Sequence, residues 1–219
     1  MGLDYYRNLY NNCMYSSIAH ALYILDAPFF SYEQSWDLNN YCFHYGLSRG
    51  TISFDPDNKI VAGAMRMERS KRIGLYPELL VATDFYSKAS EKVRYLASTE
   101  AIQYLYDRVD DYEGPIITAA FWIEDNQLIM GERESDFYLH GGEFLKILSL
   151  DLFEVKDYWK EQYELSDRLF FLTNKIFEDV CNGEKSICLG KDYADLINLE
   201  GYSEMQESLM EIGVTLKII

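Results

Sequence analysis

The sequence has few of the side chains and patterns that mark a metal centre, an exported protein or a membrane protein. It contains three histidines and four cysteines, and no two of the cysteines have CxxC spacing. These features argue against a zinc site. The N-terminal MGLDYYRNLYNN has neither a basic region nor an apolar segment, so no secretory signal is expected and the thiols should be reduced in a cytoplasm. No run of about 18 apolar residues occurs, so no membrane span is expected.

Signatures of nucleotide binding are also missing. The chain contains neither a GxGxxG nor a Walker pattern. Gly141 and Gly142 precede a short helical pattern, but two glycines without such a motif indicate a turn rather than an anion-binding site. We therefore expect no cofactor and no bound metal ion.

What the chain has in quantity is apolar surface, tyrosine and negative charge. Hydrophobic residues make up 48% of its 219 residues, aromatics 16%, and 19 residues are tyrosine, which is a globular composition. The net charge is −16. Residues 1–72 carry seven acidic and seven Lys or Arg side chains, whereas residues 73–219 carry 29 and 13. Such a field repels nucleic acid and anionic membranes and favours a basic protein partner.

Two β-hairpins are the clearest local predictions. Residues 51–54 alternate polar and apolar side chains, the Asp-Pro-Asp-Asn turn follows at 55–58, and a second strand covers 59–65. A β-type run at 116–123 and its return at 127–130 form the second candidate hairpin.

Helical patterns surround these hairpins without a regular βαβ alternation. The expected helices cover residues 14–25, 77–86, 98–109, 152–180 with a break near Ser166, 192–197 and 203–212, and short strands are expected at 186–189 and 214–219. This order predicts an α+β fold, in which antiparallel hairpins form a sheet packed against several helices. Residues 1–219 are predicted to form a single domain.

One cysteine lies in a pattern of catalytic type. The sequence Asn-Asn-Cys-Met-Tyr around Cys13 resembles the cysteine box of papain-like and ovarian-tumour-type hydrolases, where a cysteine opens a helix. The resemblance covers about ten residues and implies a Cys13 nucleophile with a remote histidine, for which His140 is the candidate. The chain departs from those families because no recognisable histidine box follows. The competing interpretation is that Cys13 is a small buried side chain without a histidine partner.

Basic side chains suggest another kind of site. Arg49 and Arg66 are candidates for holding a phosphate or carboxylate, since the arginine fork binds both. The alternative is that these arginines pair with the acidic remainder of the chain. Cys42 and His44 are two residues apart and would face the same side of a strand, but no second pair completes a metal site.

Two further groups are candidates for protein contacts. Trp36 and Asp37 lie in a polar stretch of an otherwise aromatic segment, and tryptophan is a common anchor of interfaces. Asp110, Asp111 and Glu113 lie in an acidic turn and are candidates for steering a basic partner.

These observations favour a bacterial cytoplasmic protein that is not an enzyme. Its predicted function is to neutralise or regulate a basic protein partner, as an immunity protein or an antitoxin does. The first alternative is a cysteine-dependent hydrolase or acyltransferase that uses Cys13. The second is a domain that binds a small anionic ligand.

Overall fold

The structure is a computed structural model that describes residues 4–109 and 111–218. The helices in these residues are α1 (Tyr5–Tyr23), α2 (Glu91–Leu96), α3 (Glu134–Phe137), α4 (Glu143–Leu148), α5 (Leu152–Gln162), α6 (Asp167–Cys181) and α7 (Tyr202–Glu211). The strands are β1 (Gln34–Asp37), β2 (Asn40–Tyr45), β3 (Ser48–Asp55), β4 (Ile60–Met67), β5 (Tyr106–Val109), β6 (Tyr112–Pro115), β7 (Ala119–Glu124), β8 (Gln127–Met130), β9 (Ser186–Leu189) and β10 (Thr215–Ile218). Together they confirm the α+β class.

The chain divides into two units. The described residues of the first unit are 4–10, 39–109 and 111–149, and those of the second are 11–38 and 150–218. The helix α1 begins in the first unit and ends in the second. That residues 1–219 form a single domain stays a prediction.

The first unit is built on antiparallel strands in the order β2-β3-β4-β7-β8. Both predicted hairpins are confirmed, as β3–β4 and β7–β8. The Asp55 carboxylate closes the first turn by accepting the backbone N–H groups of Asp57 and Asn58, each at 3.0 Å. Asp125 and Asn126 connect the second hairpin with positive φ angles of 49° and 57°, a conformation common in two-residue turns.

One hydrophobic cluster of this unit brings together side chains from β4, β7 and the segments between them. Ala62 and Trp122 lie opposite each other on β4 and β7, and both are buried. The cluster also includes Tyr86 and Val93. Tyr86 donates its hydroxyl to the Gly63 carbonyl at 2.8 Å, which ties the intervening chain to the sheet.

Two predicted helices of this region are confirmed only in part. In place of a helix over 77–86 there is only a 3-10 turn at Ala82–Tyr86. The helix predicted over 98–109 begins earlier, with α2, where Ser90 Oγ accepts the Val93 N–H at 3.4 Å. It continues as a π-helical turn at Ala97–Ala101 and a 3-10 turn at Gln103–Leu105. The last four residues of the predicted helix form β5 instead, because they pair with β6 across the acidic turn.

The second unit contains residues 11–23 of α1 together with α5, α6, α7 and a parallel pair of strands, β9 and β10. The predicted long helix with a break is confirmed as α5 and α6. Asp151 caps α5 in a capping box, and Ser166 caps α6 by accepting the Leu169 N–H at 3.3 Å. The predicted strands at 186–189 and 214–219 are confirmed as β9 and β10, with residue 219 outside the described residues.

The first helix begins nine residues before its predicted start. Asp4 Oδ1 accepts the Arg7 N–H at 3.0 Å, so Asp4 caps the start of the helix. Rings of the extra turns pack on the sheet: Tyr6 and Tyr10 contact Phe54 edge-on, at centroid distances of 5.8 and 5.2 Å.

A separate property of the helices concerns membranes. Within residues 4–109 and 111–218, no helix has the combination of length and apolarity that is needed to cross a bilayer.

We predict that Gly63→Ala destabilises the first unit. A Cβ at Gly63 would lie 2.0 Å from Cε1 of Phe121, its partner on β7, so the ring or the strand must shift. The free energy of unfolding should fall by about 1–3 kcal/mol in urea denaturation. Gly74→Ala is the control, because no atom lies within 4 Å of its added Cβ. Equal losses in the two variants would contradict this account of the β4–β7 contact.

Candidate binding surface

The strand β1 presents Trp36 and Asp37 to opposite sides. Trp36 is 7% exposed, and its indole N–H donates to Ser17 Oγ at 2.6 Å. Trp36 is therefore a core side chain of the second unit, in line with the alternation of a half-buried strand. Asp37 is exposed. Of the two neighbours predicted for binding, the structure leaves the carboxylate accessible and buries the indole.

Asp37 belongs to a group of three carboxylates. The backbone N–H of Trp36 donates to Glu211 Oε2 at 2.8 Å, which holds the end of α7 beside β1. Burial raises the pKa of Glu211, and the charges of Asp37 and Glu207 raise it further against the lowering effect of the Trp36 N–H. Asp37, Glu207 and Glu211 therefore form one negatively charged cluster.

Of this cluster, only Asp37 was predicted from the sequence as a binding residue. Glu207 and Glu211 are four residues apart on α7 and share a helix face, a spacing that is visible in the sequence. Their proximity to Asp37 depends on the contact between α7 and β1, which no local sequence pattern predicts.

Negative charge is concentrated in the second unit as a whole. By sequence this unit has 18 Asp and Glu side chains against seven Lys and Arg, which gives it −11 of the total −16. Fifteen of these 18 acidic residues are exposed. Three of the seven basic side chains are used in ion pairs inside the unit, namely Lys160–Asp167, Arg168–Asp195 and Lys175–Asp179.

Two of the three predicted steering acids lie in the hairpin β5–β6 of the first unit. Asp111 and Glu113 are exposed there, and Asp110 lies outside the described residues. Their accessibility is compatible with a role in steering, which stays a prediction.

The predicted anion-binding arginines are engaged by carboxylates. Arg49 and Arg66 lie opposite each other on β3 and β4, and both donate to Asp107 Oδ2. The Arg49 contact measures 2.6 Å, and Glu68 adds a carboxylate 3.5 Å from Arg66 Nη2. This arrangement agrees with the alternative that the arginines pair within the protein.

Asp107 is held in its charged form by this pairing. Burial alone would raise its pKa, but the Arg108 backbone N–H and the charges of Arg66 and Arg49 outweigh burial and lower the pKa. Arg66 is only 5% exposed, so the carboxylate also compensates a desolvated guanidinium.

The pair considered as half of a metal site, Cys42 and His44, lies in the first unit. Cys42 and His44 both lie on β2, and the Cys42 thiol is 3.6 Å from the Thr51 hydroxyl. In the chain outside residues 1–3, 110 and 219, no group of three or more His, Cys, Asp or Glu side chains is placed to hold a metal ion.

Cys13 was expected at the start of its helix, but it lies in the third turn of α1. The expectation that it is buried is confirmed, since its exposure is 0%. Burial raises the pKa of the Cys13 thiol, which disfavours the thiolate that nucleophilic attack requires.

The histidine proposed as its partner makes a different contact. His140 Nδ1 is 2.9 Å from Ser70 Oγ, and the His140 carbonyl accepts the Thr118 hydroxyl at 2.6 Å. Burial lowers the pKa of His140, as does the charge of Arg72, while Glu132 and Asp136 oppose them. These contacts fix the irregular turn at Tyr138–Gly142 on the first unit.

Comparison of the chain with models of protein families, with curated proteins and with solved structures found no match.

We predict that Asp107→Asn lowers the free energy of unfolding by about 1–3 kcal/mol near neutral pH, because a buried guanidinium loses its charged acceptor. The lowered pKa of Asp107 makes this contribution present above about pH 4 and lost as the pH falls through the folded-state pKa, below 3.8. Urea denaturation at several pH values measures the difference. Glu68→Gln, at a half-exposed carboxylate, should cost less than about 1 kcal/mol. A larger loss for Glu68→Gln than for Asp107→Asn would refute the assignment.

We predict that Cys13 does not react with iodoacetamide in the folded protein. The exposed Cys181 and Cys188 should be labelled first, and Cys13 only after unfolding in urea. Peptide mass spectrometry over a time course identifies each labelled thiol. Labelling of Cys13 in the folded state faster than that of Cys188 would support the hydrolase alternative.

Proposed function

We propose that this protein binds and neutralises or regulates a basic protein partner, in the manner of an immunity protein or an antitoxin. The observation that carries the proposal is the surplus of exposed carboxylates on the second unit, which has −11 of the charge and few basic side chains to balance it. A field of one sign attracts an oppositely charged partner over roughly a Debye length, about 8 Å at physiological salt.

The two alternatives have less support in the described residues. A Cys13 nucleophile conflicts with complete burial and a raised thiol pKa. An anion held by Arg49 and Arg66 would have to displace Asp107, to which both guanidinium groups already donate. Neither alternative explains why negative charge accumulates at the surface.

Acidic surfaces also keep proteins soluble without any partner. The proposal differs from that explanation because it requires a specific complex whose formation is steered by charge. Steering affects the association rate strongly and the dissociation rate much less.

We predict that the association rate falls at least about tenfold between low and high salt, while the dissociation rate changes less. The chain is immobilised, a partner is captured from the source organism, and both rates are measured with the purified partner. The double variant Asp111→Lys, Glu113→Lys should slow association at low salt.

A matched control variant adds negative charge instead of removing it. Lys185→Glu, at an exposed lysine of the second unit, should accelerate association. Failure to capture a partner, capture of an acidic partner, or an association rate indifferent to salt would each overturn the proposal.

A further inference from the structure

A short helical segment of the second unit exposes two aromatic rings. In the 3-10 turn Pro28–Glu33, Phe29 is 82% exposed and Tyr32 is 64% exposed. Side chains three residues apart in a 3-10 helix are eclipsed, so both rings point to the same side. The turn is held against α1, because Nε2 of His20 on that helix lies 3.0 Å from the Phe30 carbonyl oxygen. The rings are thus displayed by a segment that is tied to α1.

The helix α7 adds an exposed face of mixed character. Met205 and Leu209 are buried and hold the helix on its unit. Glu207, Met210 and Glu211 have the spacing of a single helix face and are exposed, Met210 by 54%. An exposed methionine between two carboxylates offers a flexible apolar contact inside a negative field.

Leu38, the residue that follows β1, is unusual in both its exposure and its backbone conformation. Leu38 is 88% exposed and has a φ of 55°, a conformation that glycine and asparagine adopt far more readily than leucine. Neither burial nor backbone preference therefore explains a leucine here. It lies directly after Asp37, so an apolar side chain adjoins the negatively charged cluster.

The segments that carry these exposed side chains are neighbours in the second unit. The helix α7 packs against β1 and against the 3-10 turn Pro28–Glu33. We call the exposed side chains of these neighbouring segments the acidic–apolar face, which consists of Phe29, Tyr32, Asp37, Leu38, Glu207, Met210 and Glu211. Exposed apolar side chains rimmed by charge are typical of protein interaction sites.

We propose that the acidic–apolar face docks a basic amphipathic helix of the partner, an inference that rests on the proposed function. The complementarity is of two kinds. The apolar stripe of such a helix would cover Leu38, Met210 and the two aromatic rings, and its lysines or arginines would meet the three carboxylates. Cationic side chains also relieve the repulsion among Asp37, Glu207 and Glu211.

The test uses two synthetic peptides of about 20 residues with identical Leu and Lys composition. One has leucines at the spacing of an amphipathic helix, and the other has the same residues in scrambled order. Fluorescence anisotropy and stopped-flow mixing give affinity and rates for the whole chain. We expect the amphipathic peptide to bind at least about tenfold more tightly than the scrambled one.

The decisive variant is Leu38→Asn, because asparagine tolerates a positive φ and leaves the fold unstrained. It should weaken binding of the amphipathic peptide by about tenfold, through faster dissociation, while association changes less than about twofold. The matched control is Phe153→Gln on α5, which removes another exposed apolar side chain of the second unit, 72% exposed, and should leave the affinity unchanged within about twofold. Thermal unfolding confirms that both variants are folded.

The outcomes separate the two proposals. If neither peptide binds at low salt, attraction of a basic partner fails and the proposed function fails with it. If both peptides bind equally in a salt-dependent way, or if Leu38→Asn has no effect, the proposed function stands and the docking surface is wrong.

Discussion

The position of Trp36 is the constraint on which the candidate binding surface depends. Its indole N–H bonds to Ser17 on α1, while its backbone N–H bonds to Glu211 at the end of α7. Because the ring is buried, removing it would leave a large cavity and would remove one of the hydrogen bonds of the Ser17 hydroxyl, which also donates to the Cys13 carbonyl at 3.1 Å. One residue therefore connects α1, β1 and α7, and the accessible carboxylates beside it are held where these elements meet.

Like charges are brought together at this junction at a cost to the folded protein. The Trp36 N–H offsets part of the cost at Glu211, but the pKa of that carboxyl is still raised. Asp107 shows the opposite situation, because its arginine neighbours lower its pKa and use its charge within the fold. The contrast distinguishes a carboxylate whose charge stabilises the first unit from carboxylates whose charges repel one another.

Local patterns predicted the parts of the fold that local chemistry determines. The Asp55–Asn58 turn closes the β3–β4 hairpin through its own side chain, so its position follows from sequence. The start of α1 was missed although Asp4 is a suitable cap, because the polar residues after it hid the helical spacing. Residues 106–109 were predicted to be helical because their periodicity does not reveal the pairing partner that makes them β5.

The candidate surface was predictable only in part for the same reason. Asp37 was recognised as accessible from its polar surroundings, but Trp36 was placed with it, since the alternation of a four-residue strand is too short to assign faces. The conformation of Leu38 and the approach of α7 are tertiary properties. They appear only once the elements are packed.

Methyl NMR tests most directly whether a basic partner binds the acidic–apolar face. With the captured partner added in steps, the methyl resonances of Leu38 and Met210 should shift or broaden at low salt and recover at high salt. Val93, buried in the first unit, supplies a reference that should not change. A partner that binds while Leu38 and Met210 remain unperturbed would contradict the account.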